Sequence, residues 1–168
     1  MSEIRKLSEL NDSQLNQAVD VFVEGFYNLF SGITKDKDKL HKIFKHSIDG
    51  DMTYAYIQDG EAIGFLGLRT CDKRPITLNK ATAANPNEMY VDYLAASPRH
   101  RGKGVGTKLI EHAKENCNHE YLMIEVFAKN PGAKKLYERV GFEAIKVNSD
   151  FLLKLLGLGK VITMKMRV

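Results

Sequence analysis

Residues 90–110 read Tyr90-Val91-Asp92-Tyr93-Leu94-Ala95-Ala96-Ser97-Pro98-Arg99-His100-Arg101-Gly102-Lys103-Gly104-Val105-Gly106-Thr107-Lys108-Leu109-Ile110, and the architecture of the chain turns on them. The first seven are apolar or aromatic apart from one acid, the composition of a buried strand. From Val105 onward, Leu109, Ala113 and Cys117 recur at four-residue intervals, the stripe of an amphipathic helix. Three glycines therefore stand at a strand-to-helix turn. The first N–H groups of a helix have no intrahelical partner, and its dipole places partial positive charge there. No Ser, Thr, Asp or Asn occupies the capping position, and the first acid of the helix is Glu111. The free amides are thus left to a guest, and a phosphate fits best, because glycine lets it approach the backbone closely.

Two familiar phosphate loops fail on spacing. A Walker loop requires Gly-Lys-Ser/Thr at its end, whereas Gly106 is followed by Thr107-Lys108. A dinucleotide fingerprint needs a third glycine three residues after the second, where Thr107 and Leu109 stand instead. What remains is Arg-x-x-Gly-x-Gly.

Outward from this point, 168 residues suit one domain, expected over 1–168, with 43% hydrophobic and 27% charged residues. A net charge of +4 and a pI near 9.0 suit an anionic ligand as well as a nucleic acid, so charge alone does not choose. Basic residues near 37–46 lack the aromatic interleaving of a nucleic-acid platform, and no nucleic-acid partner is expected. Cys71 and Cys117 lie far apart, and five scattered histidines make no ligand pair, so neither a disulfide framework nor a metal site is expected. No apolar run is long enough to span a bilayer and no signal peptide is visible; a cytoplasmic location is the expectation.

Towards the N-terminus, residues 4–7 read as a short strand, and Asn11-Asp12 cap a helix bearing Leu15, Ala18, Val19, Phe22, Val23, Phe26 and Phe30. Its aromatic cluster with Glu24 has two readings. Phe26 and Tyr27 with Glu24 border an acceptor pocket for a cationic amine, or the aromatics are simply core. Gly32 and residues 35–39 make a charged link to a second helix with Leu40, Ile43, Phe44 and Ile48 inward. Asp59-Gly60 joins two β-rich runs as a hairpin. Residues 71–87 read as a long loop. After the glycine helix, expected to run to about Asn118, residues 120–128 form a nearly continuous apolar strand, completing a right-handed βαβ unit. Asn130-Pro131 opens another helix, which Gly141 stops. Residues 142–147 and 161–168 read as strands, and residues 151–156 as a short apolar helix.

The segment Asn130-Pro131-Gly132-Ala133-Lys134-Lys135-Leu136-Tyr137-Glu138-Arg139-Val140-Gly141-Phe142, with Ser97-Pro98 and the glycine loop, resembles the two signatures of the GNAT superfamily of acyl-CoA-dependent N-acetyltransferases. The resemblance covers about residues 88–142 and is only architectural before them. It implies an α+β fold with a mixed, twisted sheet, helices on both faces, and a splay where the cofactor inserts. It implies acetyl-CoA as cofactor, held by the backbone of Leu94, Ala95 and Ala96, by the loop Arg101, Gly102, Lys103, Gly104, Val105, Gly106 and Thr107, and by Asn130. It further implies that Tyr137 protonates the departing sulfur; the alternative is a half-buried core tyrosine. The expected acceptor is a primary amine of a small molecule or a peptide, on a monomer or homodimer. A non-catalytic acyl-CoA sensor is the rival reading.

The base is open between Asp92 and Glu88. Glu88, Tyr90, Asp92 and Leu94 alternate onto one face of a strand, and an unpaired acid there is costly. An alkylammonium near 10.4 and an aspartate near 3.9 differ by about 6.5 units, or about 9 kcal/mol for direct proton transfer. Asp92 must therefore titrate high, act through water, or orient an amine that arrives neutral.

Overall fold

The computed structural model describes residues 1–31, 34–71, 85–149 and 159–168. Among these residues seven strands form one sheet: β1 (Ser2–Lys6), β2 (Thr53–Gln58), β3 (Glu61–Arg69), β4 (Glu88–Ala96), β5 (Tyr121–Phe127), β6 (Glu143–Asn148) and β7 (Val161–Arg167). Their order is β1-β2-β3-β4-β5-β7-β6. β4 and β5 are parallel and the other neighbours antiparallel, so the expected mixed sheet is present. Among the described residues four helices, α1 (Asp12–Phe30), α2 (Lys37–Ser47), α3 (Val105–Glu115) and α4 (Pro131–Arg139), cover it.

Local sequence explains most boundaries. Asn11 caps α1 by accepting from the Gln14 amide at 2.9 Å, and Asp36 caps α2 through Asp38 and Lys39. The charged link expected over residues 35–39 is thus partly helix. Asp59 (φ 52°) and Gly60 (φ 86°) both take positive φ, as a two-residue hairpin turn requires. Residue 7 is not strand: Leu7 opens a 3-10 turn and is buried. α3 ends at Glu115, short of the expected residue 118. The short helix expected at 151–156 and most of the loop expected at 71–87 lie outside the described residues.

The sheet separates two cores. On one face Val105, Leu109, Ile110 and Ala113 of α3 and Tyr137 of α4 pack on Leu66, Val91, Leu122 and Ile124. On the other, the α1 stripe meets α2 and the sheet, with Phe22 in ring contact with Phe26, Phe30, Phe44, Phe65 and Tyr93 at 4.8–5.5 Å between centroids. Helices therefore lie on both faces. Ile43, expected inward on α2, is instead exposed. β1 and β6 are the edge strands, and residues 143–147 of β6 are exposed.

β4 departs from simple alternation. Gly67 pairs with Tyr93 but the next residue, Leu68, pairs with Val91, leaving Asp92 as the extra residue of a bulge. One inserted residue exchanges the faces of everything beyond it. Leu94 and Ala96 therefore pack with Met89 and Val91 on the α3 side, while Tyr93 and Ala95 face α1. The expectation that Leu94 shares a face with Glu88 and Tyr90 is corrected by this bulge.

Candidate active site

The parallel ladder between β4 and β5 runs only from Glu88↔Tyr121 to Val91↔Ile124. β4 continues, paired with β3, to Gly64↔Ala96, and β5 continues, paired with β7, to Phe127↔Val161. The two strands thus part beyond Val91 and Ile124, and the sheet opens as a fork. A cleft of about 850 Å³ occupies the opening. Its walls come from both layers: Glu24, Gly25, Tyr27 and Asn28 of α1, Leu94, Ala95 and Ala96 of β4, the glycine loop, and Tyr137 with its neighbours on α4.

The loop's glycines have separate reasons. Gly102 (φ 74°) and Gly104 (φ 82°) occupy the left-handed region, where a Cβ is strained even though each has open space around it. Gly104 is the N-cap of α3, no side chain caps that end, and its first turn holds no acid. Gly106 serves packing, because a Cβ there would lie 2.9 Å from Leu136 of α4. Across the cleft, a Cβ on Gly25 would lie 2.7 Å from that of Ala95, so this glycine lets α1 rest on β4. His100, Arg101, Lys135 and Arg139 add basic groups around the loop, and Lys37 reaches the cleft from α2. Arg139 donates to Thr107 Oγ1 at 3.2 Å, tying α4 to α3 beside the helix terminus. A positive dipole end, open amides and the Lys and Arg cations make a fitting cradle for a pyrophosphate.

Tyr137 is buried, its ring 6.0 Å from that of Phe142, and burial holds its phenol well above the usual tyrosine range. It stays protonated, with a wall of the cleft beside it. Asn130 is committed to local structure: its Oδ1 accepts from the Ala133 amide at 3.1 Å and so starts α4.

Asp92 and Glu88 belong to a polar cluster on the α1-facing side of the sheet. Arg69, 4% exposed, donates to Asp92 at 2.7 Å and lies over the Tyr90 ring at 4.8 Å. Burial raises the Asp92 carboxyl more than Arg69 lowers it. Glu88, 7% exposed, accepts from Asn85 at 3.0 Å, from the Tyr90 hydroxyl at 3.4 Å and from Lys165 at 3.4 Å. Burial, with the Glu88 charge second, pushes the Tyr90 phenol up to about 12.

The structure brings together most of the residues singled out from sequence. Leu94, Ala95, Ala96, Arg101, Gly102, Gly104, Val105, Gly106, Thr107, Asn130 and Tyr137 line one cleft, as do Glu24 and Tyr27. Lys103 is exposed, its amide turned back to the His100 carbonyl. Phe26 does not line the cleft; it packs on Phe22 and Tyr93 in the aromatic core. Asp92 and Glu88 lie beside the fork, not in the cleft wall. Sequence reading missed Arg69, Arg139, Lys135, His100 and Lys37. Arg139 carried a signal, since it stands two residues after Tyr137 on the same short helix. Arg69 carried none, because only the β3–β4 register sets it against Asp92.

Comparison with known proteins agrees with this geometry. The model of the acetyltransferase (GNAT) family matches residues 16–142. Among solved structures, the ribosomal-protein-S18-alanine N-acetyltransferase from Escherichia coli superposes with a TM-score of 0.68 at 18% identity, covering 100% of this chain and 94% of that one. The IAA acetyltransferase from Bacillus cereus gives 0.64 at 16%, covering 100% and 99%, and Ard1 from Thermoplasma volcanium gives 0.67 at 16%, covering 99% and 97%. At such identities the likeness is one of fold. No curated protein sequence matches the chain.

Proposed function

Since the chain belongs to the acetyltransferase (GNAT) family, we propose that it moves the acetyl group of acetyl-CoA to a primary amine of a small molecule or peptide. The observation that carries this reading is the fork between β4 and β5 with a left-handed glycine N-cap at its mouth. When bound, acetyl-CoA would supply an activated thioester carbonyl and a sulfur leaving group. The first-turn amides of α3, with Arg101 and Arg139, would hold its pyrophosphate. The backbone of Leu94, Ala95 and Ala96, where β4 has left β5, would hold its extended arm by strand-like hydrogen bonds.

The remaining tasks fall to side chains. Tyr137, kept neutral by burial, donates a proton where the thiol departs. Asp92, oriented by Arg69, holds the incoming amine from the other side of the sheet, with Glu88 fixing the network behind it. Glu24 and Tyr27 border the approach. The deciding experiment is thiol release from acetyl-CoA against a panel of amines that includes peptides. Amine-dependent release is expected. Coenzyme A binding with no release for any amine would reduce the protein to an acyl-CoA-binding module.

A further inference from the structure

Acetyl-CoA would meet the protein in two places, its arm on the edge of β4 that β5 has left and its pyrophosphate on the first turn of α3. One residue of β3 touches both. Gly64 pairs with Ala96, the end of β4, on one side and with Tyr56 of β2 on the other. A Cβ on it would point at α3, 2.7 Å from Val105 Cγ1, 3.0 Å from Leu109 Cδ1 and 3.2 Å from Tyr56 Cβ. Gly64 is buried and its φ is not positive, so what glycine provides here is close approach and not an unusual turn. Val105 opens α3 and is itself buried. A β-branched side chain in a helix keeps one strongly preferred rotamer, so it does not turn aside. The first intrahelical bond runs from the Lys108 amide to the Gly104 carbonyl at 3.0 Å, which leaves the amides of Val105, Gly106 and Thr107 without an intrahelical partner. One residue past β4, the Ser97 amide donates to the Ile63 carbonyl at 2.9 Å. β3 therefore fixes both where the loop leaves β4 and where the helix begins.

We propose that Gly64 is a positioning residue: it sets the spacing between the open edge of β4 and the phosphate-binding amides of α3, so that one ligand can hold both at once. This rests on the acetyl-CoA reading above. Carbon atoms in contact lie about 3.5–4.0 Å apart, so a methyl at residue 64 must lift the start of α3 by about 1 Å. Ala96 does not follow, because its strand stays paired with β3. The lift leaves each half of the site intact and alters the distance between them. A ligand that touches one half is indifferent to that change. A ligand that spans both engages the second half through its effective concentration there, and loses that advantage when the two halves no longer match its length.

The test uses the full chain and three probes. Coenzyme A spans both halves, pantetheine has the arm without the phosphates, and ADP has a pyrophosphate without the arm. Dissociation constants come from calorimetry for coenzyme A and from amide-shift titrations for the two weaker fragments. Gly64→Ala should weaken coenzyme A by about tenfold or more, the worth of one hydrogen bond to a charged group. Each fragment should change by less than about twofold, since neither spans the altered distance. A role in packing alone would weaken all three alike. Gly64→Ala combined with Val105→Ala moves the bulk from helix to strand, so α3 can settle again and coenzyme A affinity should return to within about threefold of wild type. Should Gly64→Ala not fold, the double variant carries the test: affinity near wild type supports the proposal, and a loss equal to that of Val105→Ala alone overturns it. Equal weakening of all three probes, or no weakening of coenzyme A, overturns the proposal and leaves the cofactor reading standing. If the wild-type protein binds neither coenzyme A nor either fragment, the cofactor reading itself fails, and the role of Gly64 goes with it.

Discussion

A phenol raised by burial does one thing well: it stays protonated at every working pH. Tyr137→Phe removes the hydroxyl and keeps the ring against Phe142. In a thiol-release assay kcat should fall about 10²–10⁴-fold while coenzyme A affinity holds. An unchanged kcat under conditions where chemistry limits turnover would return Tyr137 to the core. Asp92 gives a prediction with a sign. Its carboxyl titrates above the usual aspartate range and is useful when ionised. Activity should therefore be full above that raised pKa and lost as pH falls through it, at a higher pH than an ordinary aspartate would give. Asp92→Asn should abolish this acid limb of the profile, and a limb that survives would assign it elsewhere. Tyr137 was legible in the sequence because it sits in a motif of fixed local spacing. Asp92's setting was not, since both its bulge and its Arg69 partner come from the pairing of distant strands.

Among the elements, the N-terminus of α3 and the contact of α1 with β4 carry the cleft. Gly104 sits at φ 82°, so Gly104→Ala imposes a left-handed conformation costing about 1–2 kcal/mol or moves the first turn away from it. Either way the stabilisation by coenzyme A, read as a Tm shift, should shrink, although free space surrounds the glycine. A full-sized shift would separate the loop from phosphate binding. Gly25→Ala acts by crowding: its Cβ would meet that of Ala95 at 2.7 Å, so α1 must retreat from β4. Overpacking of this kind costs about 1–3 kcal/mol, and Tm should drop even without ligand. The glycine loop was legible because strand, loop and helix follow one another without a break. Gly25 carried no local signal, and only the neighbouring strand explains it.

At the scale of the molecule, the fork is a property of the whole sheet, and ligand binding there should stabilise the whole fold. Coenzyme A at 100 times its Kd should add about 2.7 kcal/mol to the unfolding free energy. Differential scanning calorimetry should show Tm rising with coenzyme A concentration, and no shift at a large excess would remove the cofactor assignment. The sequence by itself determined what is local: the periodic stripes of α1 and α3, the Asp59-Gly60 turn, the glycine loop and the Asn130-Pro131 helix start. Those signals arise from φ preferences, caps and side-chain periodicity within a few residues, so they can be read along the chain. Only the tertiary structure decided where β4 leaves β5, which face each β4 side chain takes, and that Arg69 and Asp92 meet. Strand register joins residues 23 to 33 positions apart, and a single bulge at Asp92 reverses the faces beyond it. Because a period of two carries no memory of an inserted residue, the sequence cannot announce where its phase will break.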